Sequence, residues 1–143
     1  MKNGDLSNHG CIKIAFRVED TLLKKQSDGR IADFMRKFNR LHGYAMDTSV
    51  AHIIRRIYTN TDYCVVLVLD GRNADKEEVS IIKRFFPYCE MVEVNHTRIS
   101  EIEINLLSKE WEYYIDDNDQ RRAKIGHSAA VSLKDFLETC MKV

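Results

Sequence analysis

The chain has 143 residues, enough for one domain with a buried core, and its 44% apolar and 31% charged residues exclude a disordered segment. Basic and acidic residues balance at 22 each, which argues against a protein-wide field for nucleic acid or an anionic membrane. The polar start MKNGDLSNHG lacks the apolar stretch of a signal peptide, and no run approaches the roughly 20 apolar residues of a membrane span, so a cytoplasmic location is expected.

Residues 1–10 read as a flexible N-terminus and 11–143 as a single domain. Residues 11–18 alternate and then run apolar, as a short strand does. Residues 24–30, KKQSDGR, are polar and contain a glycine, so they read as a loop. Ile31, Phe34, Phe38 and Leu41 recur at helical spacing, with His42-Gly43 as a stop. Asp47-Thr48-Ser49 offers an N-cap for a helix over 50–58, with Val50, Ile53, Ile54 and Ile57 on one face.

The run CVVLVL at 64–69 predicts a strand buried on both faces of a parallel sheet, ending in the turn Asp70-Gly71-Arg72-Asn73. A helix follows over 75–86, closed by Pro87, then a short strand over 90–94. The next helix spans 99–110, with Ile99, Ile102 and Leu106 inward and Ile104 a further candidate. A strand over 112–115 runs into Asp116-Asp117-Asn118. A short helix over 120–125, a strand over 128–131 and a closing helix over 133–141 complete the chain.

Strands alternating with helices predict an α/β domain with a mostly parallel sheet, whose sites lie outside the carboxyl ends of the strands. The most polar strand ends are Arg17-Val18-Glu19-Asp20, Asp70-Gly71-Arg72 and Asp116-Asp117. Elsewhere the sequence offers little chemistry. The five histidines form no ligand pattern, and Cys11, Cys64, Cys89 and Cys140 lie far apart, so free thiols are expected. Trp111, Tyr113 and Tyr114 read as core aromatics, and Arg55-Arg56 and Arg121-Arg122 as exposed helix faces.

The three ends, in this order, resemble the motifs of the haloacid dehalogenase-like (HAD-like) phosphohydrolase superfamily. IAFRVEDTLL matches a first motif D-x-D-x-T-L with Arg17 and Glu19 in place of its two aspartates, and keeps Thr21 and Leu22. VVLVLDGRN supplies the second strand and Gly71-Arg72, with Asp70 where that family has Ser or Thr. YYIDDNDQ supplies the final acid pair, Asp116 and Asp117. Arg98, or else Lys109, would provide the third motif's cation.

The resemblance implies a Rossmann-like three-layer sandwich with a mostly parallel sheet. It also implies a phosphoryl-transfer site in which the first aspartate is nucleophile and Mg²⁺ ligand. The second aspartate is general acid/base, Thr/Ser and Lys hold the phosphate, and the last acids complete the metal site. Arg17 cannot do the first task, because a guanidinium stays protonated and offers only donors. The degenerate first motif is then Arg17, Glu19 and Asp20, with Asp70 and Arg98 at the other catalytic positions. Thr21, Gly71 and Arg72 stand where that family holds substrate, and Asp116 and Asp117 where it holds metal.

The expected function is therefore a catalytically degenerate domain that binds or regulates, needs no cofactor, and meets an unidentified protein or a phosphorylated ligand. Its Arg17 guanidinium is expected to replace the metal by pairing Asp116 or Asp117. The alternative is a Mg²⁺-dependent phosphohydrolase, a phosphatase or nucleotidase, with altered motifs. A third reading rests on YAMDTSV (44–50), which resembles the first strand and acid of PIN-type metal-dependent nucleases, and leaves 11–23 as an unexplained extra strand.

Overall fold

The structure, a computed structural model, describes residues 12–25, 44–70, 76–94 and 100–140. Its elements in chain order are β1 (Ile12–Arg17), β2 (Leu23–Lys25), β3 (Tyr44–Met46), α1 (Thr48–Asn60), β4 (Tyr63–Asp70) and α2 (Lys76–Phe85). There follow β5 (Glu90–Val94), α3 (Ser100–Leu107), β6 (Trp111–Ile115), α4 (Asp119–Ile125), β7 (Ala130–Val131) and α5 (Leu133–Cys140).

The main sheet has five strands in the order β5-β4-β1-β6-β7, and every pairing is parallel. Parallel strands need covered faces, and the side chains alternate to meet that need. Ile14 and Phe16 of β1 and Val65, Leu67 and Leu69 of β4 enter one core with residues of α1, α2 and α5. Ala15, Val66 and Val68 enter a second core with Ile102 and Leu106 of α3 and Ile125 of α4. The chain is thus an α/β, Rossmann-like three-layer sandwich.

The strand order positions the site. Counted along the chain, the main strands lie 3-2-1-4-5 across the sheet, so the winding reverses between β1 and β6, where open α/β sheets form a ligand crevice. The three charged strand ends belong to the neighbours β4, β1 and β6 and meet at that edge. By the two-residue period, Arg17, Asp70 and Asp116 fall on the side of Ala15, Val68 and Tyr114, toward α3 and α4.

Several local expectations hold and some do not. Asp47 caps α1, its Oδ1 accepting from the backbone N–H of Ser49 (2.9 Å) and Val50 (3.3 Å), as the sequence predicts. The loop expected over 24–30 begins instead as β2, which pairs antiparallel with β3. Strands of three residues carry too little periodicity to be read locally. Helix α3 stops at Leu107, before a Lys109 held at φ 63°, and Ile104 points outward at 61% exposure. Cys64 is disulfide-bonded, which overturns the free thiol expected there, and Cys89 is not in a disulfide. No helix among the described residues is long and apolar enough to cross a membrane. The expected helix over 31–41 and the N-terminal ten residues lie outside the described residues.

Candidate functional site

After β1 the chain turns tightly. Leu22 and Leu23 both donate to the Val18 carbonyl, at 3.1 and 2.8 Å, and Asp20 adopts φ 70°, a left-handed conformation that aspartate tolerates better than most residues. The turn folds Glu19 back on its own strand end. Arg17 Nε donates to Glu19 Oε1 at 2.7 Å, while Glu19 Oε2 accepts the Asp70 N–H at 3.0 Å. One carboxylate therefore ties the ends of β1 and β4. Thr21, fully buried, accepts the Asp117 N–H at 3.0 Å and ties β1 to the end of β6.

The other half of the site grows from α4. Asn118 caps that helix by accepting the Arg121 N–H at 2.9 Å, and Gly126 closes it at φ 68°. A helix beginning this soon after a strand turns its first residues back over the strand's end. Arg121 Nε donates to Asp116 Oδ2 at 2.8 Å. Its Nη2 lies 3.1 Å from Asp116 Oδ1, 2.8 Å from Asp20 Oδ2 and 3.1 Å from the Glu19 carbonyl oxygen. Arg122 Nη1 donates to the Asp116 carbonyl at 2.7 Å, and its other arm pairs with Asp119.

Asp116 is the hub. Its side chain is fully buried and takes four donors: the Asn118 N–H and Arg121 Nη2 on Oδ1, and Tyr114 Oη (2.7 Å) and Arg121 Nε on Oδ2. A carboxylate has about four lone-pair positions, so its acceptor capacity is used up within the chain. Asp117 accepts the Leu133 N–H at 3.0 Å and so fixes the start of α5.

The charges follow. Burial lowers the Arg121 pKa, but the hydrogen bonds to Asp116 and its charge, then the bond to Asp20, outweigh it and hold the guanidinium well above its ordinary value. Burial, with the Asp116 charge, pushes the Tyr114 hydroxyl far above the ordinary 10.0, against the opposing pull of Arg17 and Arg121. Because the folded state keeps this proton after the unfolded chain releases it, Tyr114 contributes stability in full below pH 10 and loses it as pH rises further. Urea unfolding between neutral and strongly alkaline pH should show a steeper loss for the native chain than for Tyr114→Phe.

The expected pairing of Arg17 with Asp116 or Asp117 does not occur. Arg17 meets Glu19, two residues along the same turn, and the cation on Asp116 is Arg121. Arg121 and Arg122 are half-buried in the site rather than on an exposed face. The hint lay in Asn118, whose capping position puts the third residue of the helix beside the strand end. Arg17 itself is only 3% exposed. Lys109 lies exposed in the turn before β6, at the end of that strand opposite Asp116. Gly71, Arg72 and Arg98 lie outside the described residues.

The described residues do not fit Mg²⁺. That ion demands near-octahedral oxygen coordination, yet the Asp116 oxygens are saturated. Among the described residues no three His, Cys, Asp or Glu groups converge to hold a metal. Nor does β1 end in a nucleophile. Apart from Nε on Glu19, the Arg17 guanidinium has no hydrogen-bond partner among the described residues.

Comparison of the chain with family models, with curated proteins and with solved structures gives no match.

Proposed function

We propose that this is a HAD-like domain that has lost hydrolysis and acts as a binding or regulatory protein, its crevice recognising an oxyanion such as the phosphate of a phosphorylated ligand. The observation that carries the proposal is the Arg17 guanidinium, 3% exposed at the central strand's end, with Nε held by Glu19 and its forked end unpaired among the described residues. A buried cation left short of acceptors is costly. A guanidinium fork matches the oxygens of phosphate or carboxylate in bidentate fashion. The strand order supports the family resemblance as well, because the three strands whose ends carry the motif-like residues are adjacent, with β1 between the other two.

Hydrolysis through a covalent intermediate needs an oxygen nucleophile at the Arg17 position, and a donor-only side chain supplies none. A generic phosphate ester such as p-nitrophenyl phosphate should therefore show no turnover above background, with or without Mg²⁺. The same ester should bind in EDTA, and Arg17→Gln should weaken that binding about tenfold or more, as expected for losing a charge-assisted hydrogen bond. Turnover that Mg²⁺ supports and EDTA abolishes would instead establish the phosphohydrolase. Equal binding by native protein and Arg17→Gln would remove Arg17 from the ligand's contacts.

A further inference from the structure

We infer that Arg121 is the resident cation of this crevice, a side chain that closes the position between β1 and β6 to divalent metal. Its Nη2 is surrounded by oxygens from both strand ends: Asp20 Oδ2 at 2.8 Å, the Glu19 carbonyl at 3.1 Å and Asp116 Oδ1 at 3.1 Å. Two carboxylates and a carbonyl dipole converging on one point, one carboxylate fully buried, cannot stay ionised cheaply without a positive charge among them. Hard oxygen ligands are also what Mg²⁺ and Mn²⁺ select.

The chain meets that need covalently. Asn118 caps α4 and, through Nδ2, also donates to Asp20 Oδ2 at 3.3 Å, so the helix that carries Arg121 is anchored to the same acid that the guanidinium reaches. An ion entering here would have to displace Arg121 from both oxygens of Asp116. The crevice is then electrostatically complete without metal, and the two halves of the sheet edge are clamped by one side chain. This inference stands apart from the ligand proposal, since it concerns the cation between β1 and β6 and is read with no ligand present.

The test is Mn²⁺ binding, followed by electron paramagnetic resonance and by thermal melting, on the native chain, Arg121→Ala, Arg121→Gln and the double variant Arg121→Ala/Asp116→Asn. The native chain should show no saturable Mn²⁺ site and no Mn²⁺-dependent rise in Tm. Arg121→Ala should bind Mn²⁺ at least about tenfold more tightly than the native chain and melt higher as Mn²⁺ is added, because a ligand that binds only the folded state stabilises it. Asp116→Asn in that background should abolish both effects. If Arg121→Ala folds only when Mn²⁺ is supplied, the inference is supported in its strongest form. Arg121→Gln keeps the hydrocarbon stem and covers the case in which the alanine variant does not fold at all. A folded glutamine or alanine variant with no gain in Mn²⁺ affinity overturns the inference, as does native protein that binds Mn²⁺ as tightly as the variants.

Discussion

Replacing Asp116 with alanine should destabilise the domain by roughly 3–5 kcal/mol, the usual cost of removing one partner from a buried ion pair. For a chain of this size that is a fall in Tm on the order of 10 °C. The carboxylate is fully buried, and its loss strands Tyr114 Oη in the core and leaves Arg121 without either of its Asp116 contacts. The Arg121 side chain retains 21% exposure and still reaches Asp20, so water and the second acid offset part of the loss and favour the lower end of that range. Asp116→Asn keeps the shape and one acceptor oxygen, and should cost about half as much, since two of the four donors keep an acceptor while the other two face an amide NH2. Chemical denaturation of the three proteins at neutral pH measures both differences. If Asp116→Ala were as stable as the native chain, Asp116 would not be the hub that its four donors indicate.

A comparable loss, roughly 3–5 kcal/mol, is expected for Phe136→Ala, the range for truncating a buried phenylalanine. Phe136, on α5, is 1% exposed. Its ring meets Phe16 of β1 edge-on at 6.4 Å and Tyr113 of β6 at 5.5 Å, so it seals the face of the two strands that flank the crevice. Here packing and site are coupled. The same helix begins at Leu133, whose N–H is held by Asp117, and Asp117 is in turn held to Thr21. Loosening α5 should therefore also loosen the acid pair's loop. Amide hydrogen exchange on Phe136→Ala should show faster exchange at Leu133 and Asp117 than at Ile54 or Leu67, buried in the same core. Uniform acceleration across all four would mean that α5 packs without steering the site.

Most elements were legible because their signals are local. CVVLVL is β-branched and has no polar face, as expected for a strand covered on both sides, and β4 is that strand. Asp47 and the 50, 53, 54, 57 spacing announced α1 and its cap. The antiparallel pair β2–β3 was not legible, since its stability comes from a partner some twenty residues away and from strands too short to show a period. Ile104 misled because α3 buries only Ile102 and Leu106 and leaves the intervening turn in water.

The site divides the same way. That Arg17, Asp70 and Asp116 sit at strand ends followed from where each apolar run stops, and that they share one crevice followed once β4, β1 and β6 proved to be neighbours. Which cation meets which acid did not follow. Arg17 is nearer in kind to the expected metal substitute, yet the turn at Asp20 gives it to Glu19. Arg121 reaches Asp116 only because the Asn118 cap sets the phase of α4 over that strand end. By itself the sequence determined the α/β class, the buried strands and the absence of a nucleophile at Arg17. The tertiary structure decided the ion pairs, because they depend on strand order and helix phase, which long-range packing sets and no local pattern records.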